Sequence, residues 1–248
     1  MTAKAFELKG KTALVTGDSK FWLKPIVTAL AEAGADIAVA AGQTHKLEDA
    51  VEIAKSTGRK ALAVPTDITS GAQVKKAVDR VIGEFGRIDI LVNASDVNLF
   101  QPFCDIKDTE WDRVMDYNFN SAMHFCRAAG RQMVIQKKGR IINVISGLAE
   151  RGHANGTAYC VSMGAVLQLT KALALEWALT GVTVNAIGTG WFTENGSAAD
   201  EAIARYIPAK RYGKPYEIGS LVVYLASDVT DFTTGQFMYV DGGLMAHA

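Results

Sequence analysis

The sequence has few cysteines and no block of charge of one sign. Its three cysteines, Cys104, Cys126 and Cys160, are scattered without the spacing of a metal site or of a disulfide framework. We therefore expect free thiols in a reducing cytosol and no bound metal. The 26 basic residues balance the 26 acidic residues, and no basic run marks a nucleic-acid arm. A nucleic-acid partner is not expected.

Signals for targeting and for membrane insertion are also missing. The N-terminus, MTAKAFELKG, lacks the apolar core of a signal peptide, and no window reaches the roughly 20 apolar residues of a membrane span. There is also no internal repeat and no low-complexity segment. These absences predict a cytoplasmic protein without a membrane partner.

What the sequence does contain is a regular alternation of short apolar runs and longer helical patterns. The chain has 248 residues, of which 49% are hydrophobic, and this suits one domain with a large core. The alternation predicts an α/β fold in which a doubly wound, seven-stranded parallel sheet forms a single domain over residues 1–248. The predicted strands are Thr12 to Thr16, Asp36 to Ala41, Ala61 to Val64, Ile88 to Asn93, Ile141 to Ile145, Val182 to Ile187 and Phe237 to Val240.

Two hydroxyl side chains follow the fifth of these strands. Ser146 lies where the strand ends, and Tyr159 opens a helical pattern that continues to Leu179. A doubly wound sheet binds its ligands at the carboxyl ends of the strands. The two hydroxyls are therefore predicted to meet in one site.

A strand that ends in Ser146, with a tyrosine thirteen residues later, resembles the catalytic segment of the short-chain dehydrogenase/reductase family. The likeness extends over essentially the whole chain. It implies catalytic roles for Ser146, Tyr159 and Asn118, and it implies a homotetramer or a homodimer. It also implies a nicotinamide dinucleotide site, whose remaining residues in this sequence are Gly17, Ser19, Lys20, Asp67, Ile68 and Asn93. Ser19 and Lys20 could alternatively hold a small anion, and Asp67 could be the N-cap of the next helix.

Several positions depart from the family pattern where the family touches its cofactor. Met163 replaces the lysine that would lie beside the phenol of Tyr159, four residues along the helix. An unassisted tyrosine has a pKa of about 10, so only about one molecule in a thousand is ionised at pH 7. Bulky side chains in the dinucleotide loop are expected to fill the volume of a pyrophosphate. The further departures are Phe21, Leu23, Ala41, Gly42, Ser95, Thr189 and Glu194.

These departures lead us to expect a non-redox enzyme without a cofactor. Ser146 and Tyr159 would polarise an oxygen atom of the substrate for lyase, dehydratase, isomerase or dehalogenase chemistry. Halohydrin dehalogenases, which resemble the family, also carry an aromatic side chain in this loop, as Phe21 does here. An NAD- or NADP-dependent alcohol or carbonyl oxidoreductase with an atypical cofactor loop is one alternative. A non-catalytic subunit or ligand-binding relative is another.

The expected substrate is a small, partly apolar molecule. His153 lies in the loop before Tyr159, and Trp191 and Phe192 lie in a segment that the resemblance identifies as a substrate lid, at about residues 190–211. These three side chains are the predicted substrate contacts. For His153, a solvated loop residue is the competing interpretation.

Overall fold

A computed structural model describes residues 3–17, 19, 21–42, 44–193 and 200–246. In that part of the chain, seven strands form one parallel sheet in the order β3-β2-β1-β4-β5-β6-β7. This order reverses between β1 and β4, as in a doubly wound fold. The prediction of a single α/β domain is confirmed. The strands are β1 (Thr12–Thr16), β2 (Asp36–Ala41), β3 (Ala61–Pro65), β4 (Ile90–Asn93), β5 (Gly139–Ser146), β6 (Val182–Thr189) and β7 (Phe237–Val240).

Helices cover both faces of the sheet. A π-helical turn, Asp116–Asn120, lies between the fourth and fifth helices. The helices are α1 (Leu23–Glu32), α2 (Thr44–Ser56), α3 (Gly71–Phe85), α4 (Asp108–Met115), α5 (Ser121–Gln136), α6 (Thr157–Glu176), α7 (Glu201–Tyr206) and α8 (Gly219–Ala226).

The core has two halves, one on each side of the sheet. Successive side chains of a strand point to opposite faces, so Val15 packs with α1, α2 and α8, whereas Leu14 packs with α3, α5 and α6. Both residues are fully buried. Burial on both faces explains why the strands are continuous apolar runs rather than alternating ones.

Gly17 sets the spacing of the central strands at the edge where ligands bind. Its φ of +121° lies in the region that favours glycine, and an added Cβ would lie 2.5 Å from the carbonyl carbon of Ala94. A side chain here would push the turn after β1 away from the turn after β4. The glycine is therefore required by the packing of the protein itself.

Helix α6 is the one helix in the described ranges that is long and apolar enough to cross a membrane. Only length and composition support that possibility, and 44% of its apolar window is buried inside the fold. It packs against β5 and β6. A core helix passes the same test, so this finding is weak evidence for a membrane span.

Candidate functional site

A cavity of about 360 Å³ opens at the carboxyl edge of the sheet, beside the ends of β5 and β6. Its volume lies within the range of about 300–1,000 Å³ that is usual for small-molecule sites. Five residues predicted from the sequence line it together, namely Ser146, His153, Tyr159, Trp191 and Phe192. The structure thus brings the predicted hydroxyls and the predicted substrate contacts to one place. A larger groove of about 950 Å³ lies between α1 and α8 and is lined by none of these five.

Tyr159 lies in the first turn of α6 and is 6% exposed. Its hydroxyl donates a hydrogen bond of 2.7 Å to Oδ1 of Asp96. Burial, followed by the charge and the hydrogen bond of Asp96, raises the pKa of Tyr159 well above 10.0, and a hydrogen bond with Ser146 acts in the opposite direction. At neutral pH this side chain is therefore a phenol that can donate a proton.

Asp96 is a residue of this site that the sequence analysis missed. It lies in the loop after β4, and its second carboxylate oxygen accepts a hydrogen bond of 3.3 Å from the indole nitrogen of Trp22. Burial raises the pKa of Asp96, although the hydrogen bonds from Tyr159 and Trp22 act to lower it. Its position shortly after a central strand could have identified it, because the ligand-binding edge of such a sheet lies at the carboxyl ends of the strands.

Ser146 ends β5 and presents its hydroxyl to the cavity. Its Oγ accepts a hydrogen bond from the backbone N–H of Leu148, and its own N–H donates to Sδ of Met163 at 3.5 Å. Met163 is 1% exposed and belongs to an apolar cluster with Ile145 and Tyr159. The residue that replaces the family lysine therefore packs beneath the site and does not line the cavity.

Asn118 is buried in the π-helical turn and bonds to two segments of the site. Its side-chain amide accepts from the N–H of Val97 and donates to the C=O of Val97, both at 2.8 Å. It also donates to Oγ of Ser162, which in turn donates to the C=O of Tyr159. Asn118 thus fixes the backbone beside Asp96 and beside Tyr159, and the structure gives it no direct bond to the phenol.

Of the residues predicted to hold a dinucleotide, Ser19 and Asp67 follow the carboxyl ends of β1 and β3. Ser19 accepts a hydrogen bond from the N–H of Phe21, just before α1 begins, and Lys20 lies outside the described residues. Asp67 follows β3 and accepts hydrogen bonds from the N–H and the hydroxyl of Thr69. The N-cap of α3 is Ser70, so the N-cap interpretation of Asp67 is wrong.

Asn93, at the end of β4, bonds inside the sheet instead. It accepts from the hydroxyl of Thr16 at 3.1 Å and donates to Oδ1 of Asn143 at 2.8 Å, and it is 4% exposed. The side chain therefore links β1, β4 and β5 below the cavity.

The directions of the side chains at the start of α1 determine how much space remains there for a dinucleotide. Leu23 is 4% exposed and belongs to the core with α2 and α8, so it does not stand in the crevice above the strands. Trp22 is also buried, and it packs edge-on against Phe192 with ring centroids 4.8 Å apart. Phe21 and Trp22 contribute to the wall of the cavity. Of the bulky residues in the dinucleotide loop, Leu23 is therefore directed into the core, whereas Phe21 and Trp22 stand at the cavity, where a bound nicotinamide would lie against their rings.

Comparison with known proteins gives a family and named relatives. A family model described as enoyl-(acyl carrier protein) reductase matches residues 24–245. The chain is 34% identical over 240 residues to a 3-oxoacyl-[acyl-carrier-protein] reductase of Staphylococcus epidermidis, a match that covers 94% of this chain and 98% of the relative. It is 38% identical over 248 residues to a 2-dehydro-3-deoxy-D-gluconate 5-dehydrogenase of Pseudoalteromonas atlantica, covering 97% and 98%.

A solved structure is also similar to this chain. The crystal structure of a gluconate 5-dehydrogenase from Burkholderia cenocepacia, in complex with NADP and tartrate, superposes with a TM-score of 0.92. The two sequences are 30% identical, and the match covers 99% of each chain.

These comparisons overturn two of the expectations from the sequence. The expectation of a non-redox enzyme is wrong, because the relatives are named as reductases and dehydrogenases. The expectation that no cofactor binds is also wrong, because one neighbour holds NADP in the same fold. Both errors have a physical origin in the structure. Leu23 is directed into the core and Met163 lies beneath the site, so neither substitution fills the cavity.

Proposed function

The chain belongs to the short-chain dehydrogenase/reductase family, and we propose that it is an NAD- or NADP-dependent oxidoreductase that interconverts a hydroxyl and a carbonyl group. The observation that carries the proposal is the placement of Ser146 and Tyr159 on one cavity at the carboxyl edge of the sheet. The named activities of the relatives support the same reaction class.

The proposed roles follow from the chemistry of each side chain. The bound nicotinamide supplies or accepts a hydride. Ser146 and Tyr159 hold the substrate oxygen by hydrogen bonds, and the protonated phenol donates to that oxygen as it gains charge during reduction. Asn118 positions the backbone on both sides of the phenol. The residues proposed to hold the cofactor are Gly17, Ser19, Lys20, Asp67 and Ile68, with Asn93 supporting the strands beneath them.

The proposed substrate is a small hydroxy acid or keto acid. Arg151 and His153 lie on the cavity wall, and the guanidinium of Arg151 donates a hydrogen bond of 2.6 Å to the hydroxyl of Tyr206. A guanidinium recognises a carboxylate with paired hydrogen bonds. Tyr206 ends α7 and its ring packs against Trp191, so the proposed lid over residues 190–211 would carry part of this anion site.

A direct cofactor titration tests the proposal. Purified protein is titrated with NADH and with NADPH while nicotinamide fluorescence is followed, and micromolar binding of at least one is expected. Turnover is then measured with a keto-sugar acid and with a 3-oxoacyl thioester, because relatives are named for both substrate types. Tyr159→Phe and Ser146→Ala should each lower kcat by a factor of about 10² to 10⁴ with cofactor affinity retained. Absence of binding up to millimolar cofactor would contradict the proposal.

A further inference from the structure

We infer that Asp96 accepts the proton of Tyr159, so that a carboxylate and a phenol form the proton-transferring pair of this site in place of an ammonium and a phenol. The inference rests on the proposed function, because it assigns the proton path of that reaction. It makes Asp96, which also lines the cavity, a catalytic residue that exchanges a proton with the reacting phenol.

The geometry directs the carboxylate at the phenol. The distance of 2.7 Å between Oη of Tyr159 and Oδ1 of Asp96 is that of a good O–H···O hydrogen bond. Oδ2 is held by Trp22, whose indole is buried and packed against Phe192. The side chain of Asn118 forms hydrogen bonds with both the backbone N–H and the backbone C=O of the next residue, Val97. The carboxylate is therefore restrained from two sides while one oxygen faces the phenol.

The electrostatic surroundings favour proton uptake by Asp96. Among the described residues Asp96 makes no ion pair, and its two hydrogen bonds come from the neutral donors Trp22 and Tyr159. A buried carboxylate without a cation has a raised pKa, which moves it toward the pH at which enzymes work. Among the described residues, the other titratable groups nearby are Cys160, beside Tyr159, and Arg151, His153 and Tyr206 on the cavity wall.

The proton and electron balance of the step is complete. In alcohol oxidation the substrate O–H bond breaks and its proton moves to Oη of Tyr159, while the original phenol proton moves to Oδ1 of Asp96. The C–H bond breaks with its electron pair, which leaves as hydride to the nicotinamide of the proposed function, and the C=O bond forms. Asp96 ends as a carboxylic acid and Tyr159 remains a phenol. Reduction runs the same transfers in reverse.

A proton transfer from Tyr159 to Asp96 would allow the reaction without the family lysine that Met163 replaces. A mechanism through free tyrosinate would need the rare ionised form of a phenol whose pKa is already raised. A concerted transfer to Asp96 never requires that ion. Met163 then needs no charge, and its thioether accepts the N–H of Ser146 beneath the site.

The test compares Asp96→Asn, Asp96→Glu and the control Trp22→Phe. Asp96→Asn should lower kcat for alcohol oxidation by a factor of about 10² to 10⁴ with a nearly unchanged KM. For the unmodified enzyme, kcat for oxidation should rise with pH as Asp96 loses its proton. This rise, the acid limb of the pH profile, should vanish in Asp96→Asn. Asp96→Glu should restore part of the rate. Trp22→Phe removes one hydrogen bond to Asp96 but keeps the proton acceptor, so the acid limb should persist.

A second readout does not depend on turnover. Ultraviolet difference titration, with Tyr159→Phe subtracted, follows the ionisation of Tyr159 alone. Asp96→Asn should lower the pKa of Tyr159, because the neighbouring negative charge and its hydrogen bond both raise it. An unchanged pKa of Tyr159, or an unchanged kcat and pH profile in Asp96→Asn, would overturn the inference. If the unmodified protein binds no cofactor, the proposed function fails, while the titration still decides whether the two groups are coupled.

Discussion

The phenol of Tyr159 donates its hydrogen bond to Asp96, a residue 63 positions earlier in the chain. The bond joins the first turn of α6 to the loop after β4, and both lie at the carboxyl edge of the sheet. Four residues after Tyr159, where the family has its lysine, this chain has Met163, which makes no hydrogen bond to the phenol. The charged partner of the tyrosine therefore comes from another element of the fold.

Asn118 is expected to position the site without taking part in the chemistry. Asn118→Ala removes two hydrogen bonds to Val97 and one to Ser162, all buried or partly buried. The free energy of unfolding should fall by about 2–4 kcal/mol, since each buried group left without a partner costs about 1–3 kcal/mol. Chemical denaturation measures the loss, and kcat should fall with KM for the cofactor little changed.

The matched control for this prediction is Asn120→Ala in the same π-helical turn. Asn120 makes a hydrogen bond to Asp116 that is only partly buried. Its removal should change stability by less than about 1 kcal/mol. Equal losses in the two variants would contradict the assigned role of Asn118.

Gly17→Ala is expected to destabilise the fold whether or not a cofactor binds. The φ of +121° and the approach to Ala94 leave no space for a Cβ, so the central strands must shift. We expect a loss of at least about 2 kcal/mol in the free energy of unfolding of the cofactor-free protein. Gly83→Ala in α3 is the control, because no atom lies within 4 Å of its added Cβ. That variant should be neutral or more stable by about 0.5–1 kcal/mol.

Arg151→Gln should weaken the binding of acidic substrates specifically. Loss of one charged hydrogen-bonding partner of a carboxylate corresponds to about 1.5–3 kcal/mol, or a rise in KM of roughly 10- to 150-fold. An uncharged alcohol substrate of the same length should keep its KM. Arg205→Gln, which removes an exposed ion pair with Glu201 in α7, is the control and should leave both values unchanged. A similar KM change for the acidic and the uncharged substrate would argue against an anion site at Arg151.

The face formed by α5 and α6 is expected to form the interface of a homotetramer or homodimer. A groove between these helices is lined mainly by apolar side chains, among them Ile135, Leu169 and Leu173, with Arg127, Arg131 and Glu176 also in its wall, and Ile135 is 71% exposed. Contiguous exposed apolar surface commonly marks an interaction site. Ile135→Glu should therefore lower the mass measured by sedimentation equilibrium, whereas Phe232→Glu, at a single exposed aromatic, should not.

Much of the fold was predictable because it depends on local patterns. The predicted bounds of β1, β2 and β7 agree with the structure at both ends, since polar residues, glycines or turn signals interrupt the apolar runs there. β5 begins two residues before its predicted start and ends one residue after its predicted end, and β6 ends two residues after its predicted end. Pairing between these two strands recruits residues such as Gly139 and Thr189 that are not themselves strongly apolar. Tertiary pairing thus overrode local propensity at these ends.

The candidate site was predictable only in part. The convergence of Ser146, Tyr159, His153, Trp191 and Phe192 followed from the topology, because parallel strands place their carboxyl ends at one edge. The topology did not show in which direction the side chains of Leu23 and Met163 point. A sequence position shows which residue replaces a family residue, but only packing shows whether the new side chain faces the cavity or the core.

The sequence by itself determined the doubly wound sheet, its ligand-binding edge and the two hydroxyls that meet there. The apolar runs and helical patterns that carry this information are local features of the chain. Only the tertiary structure decided which group stands beside the phenol. The contact between Asp96 and Tyr159 spans two loops that the sheet brings together, and its strength depends on burial, on the indole of Trp22 and on the clamp of Asn118. Each of these is a consequence of packing in three dimensions.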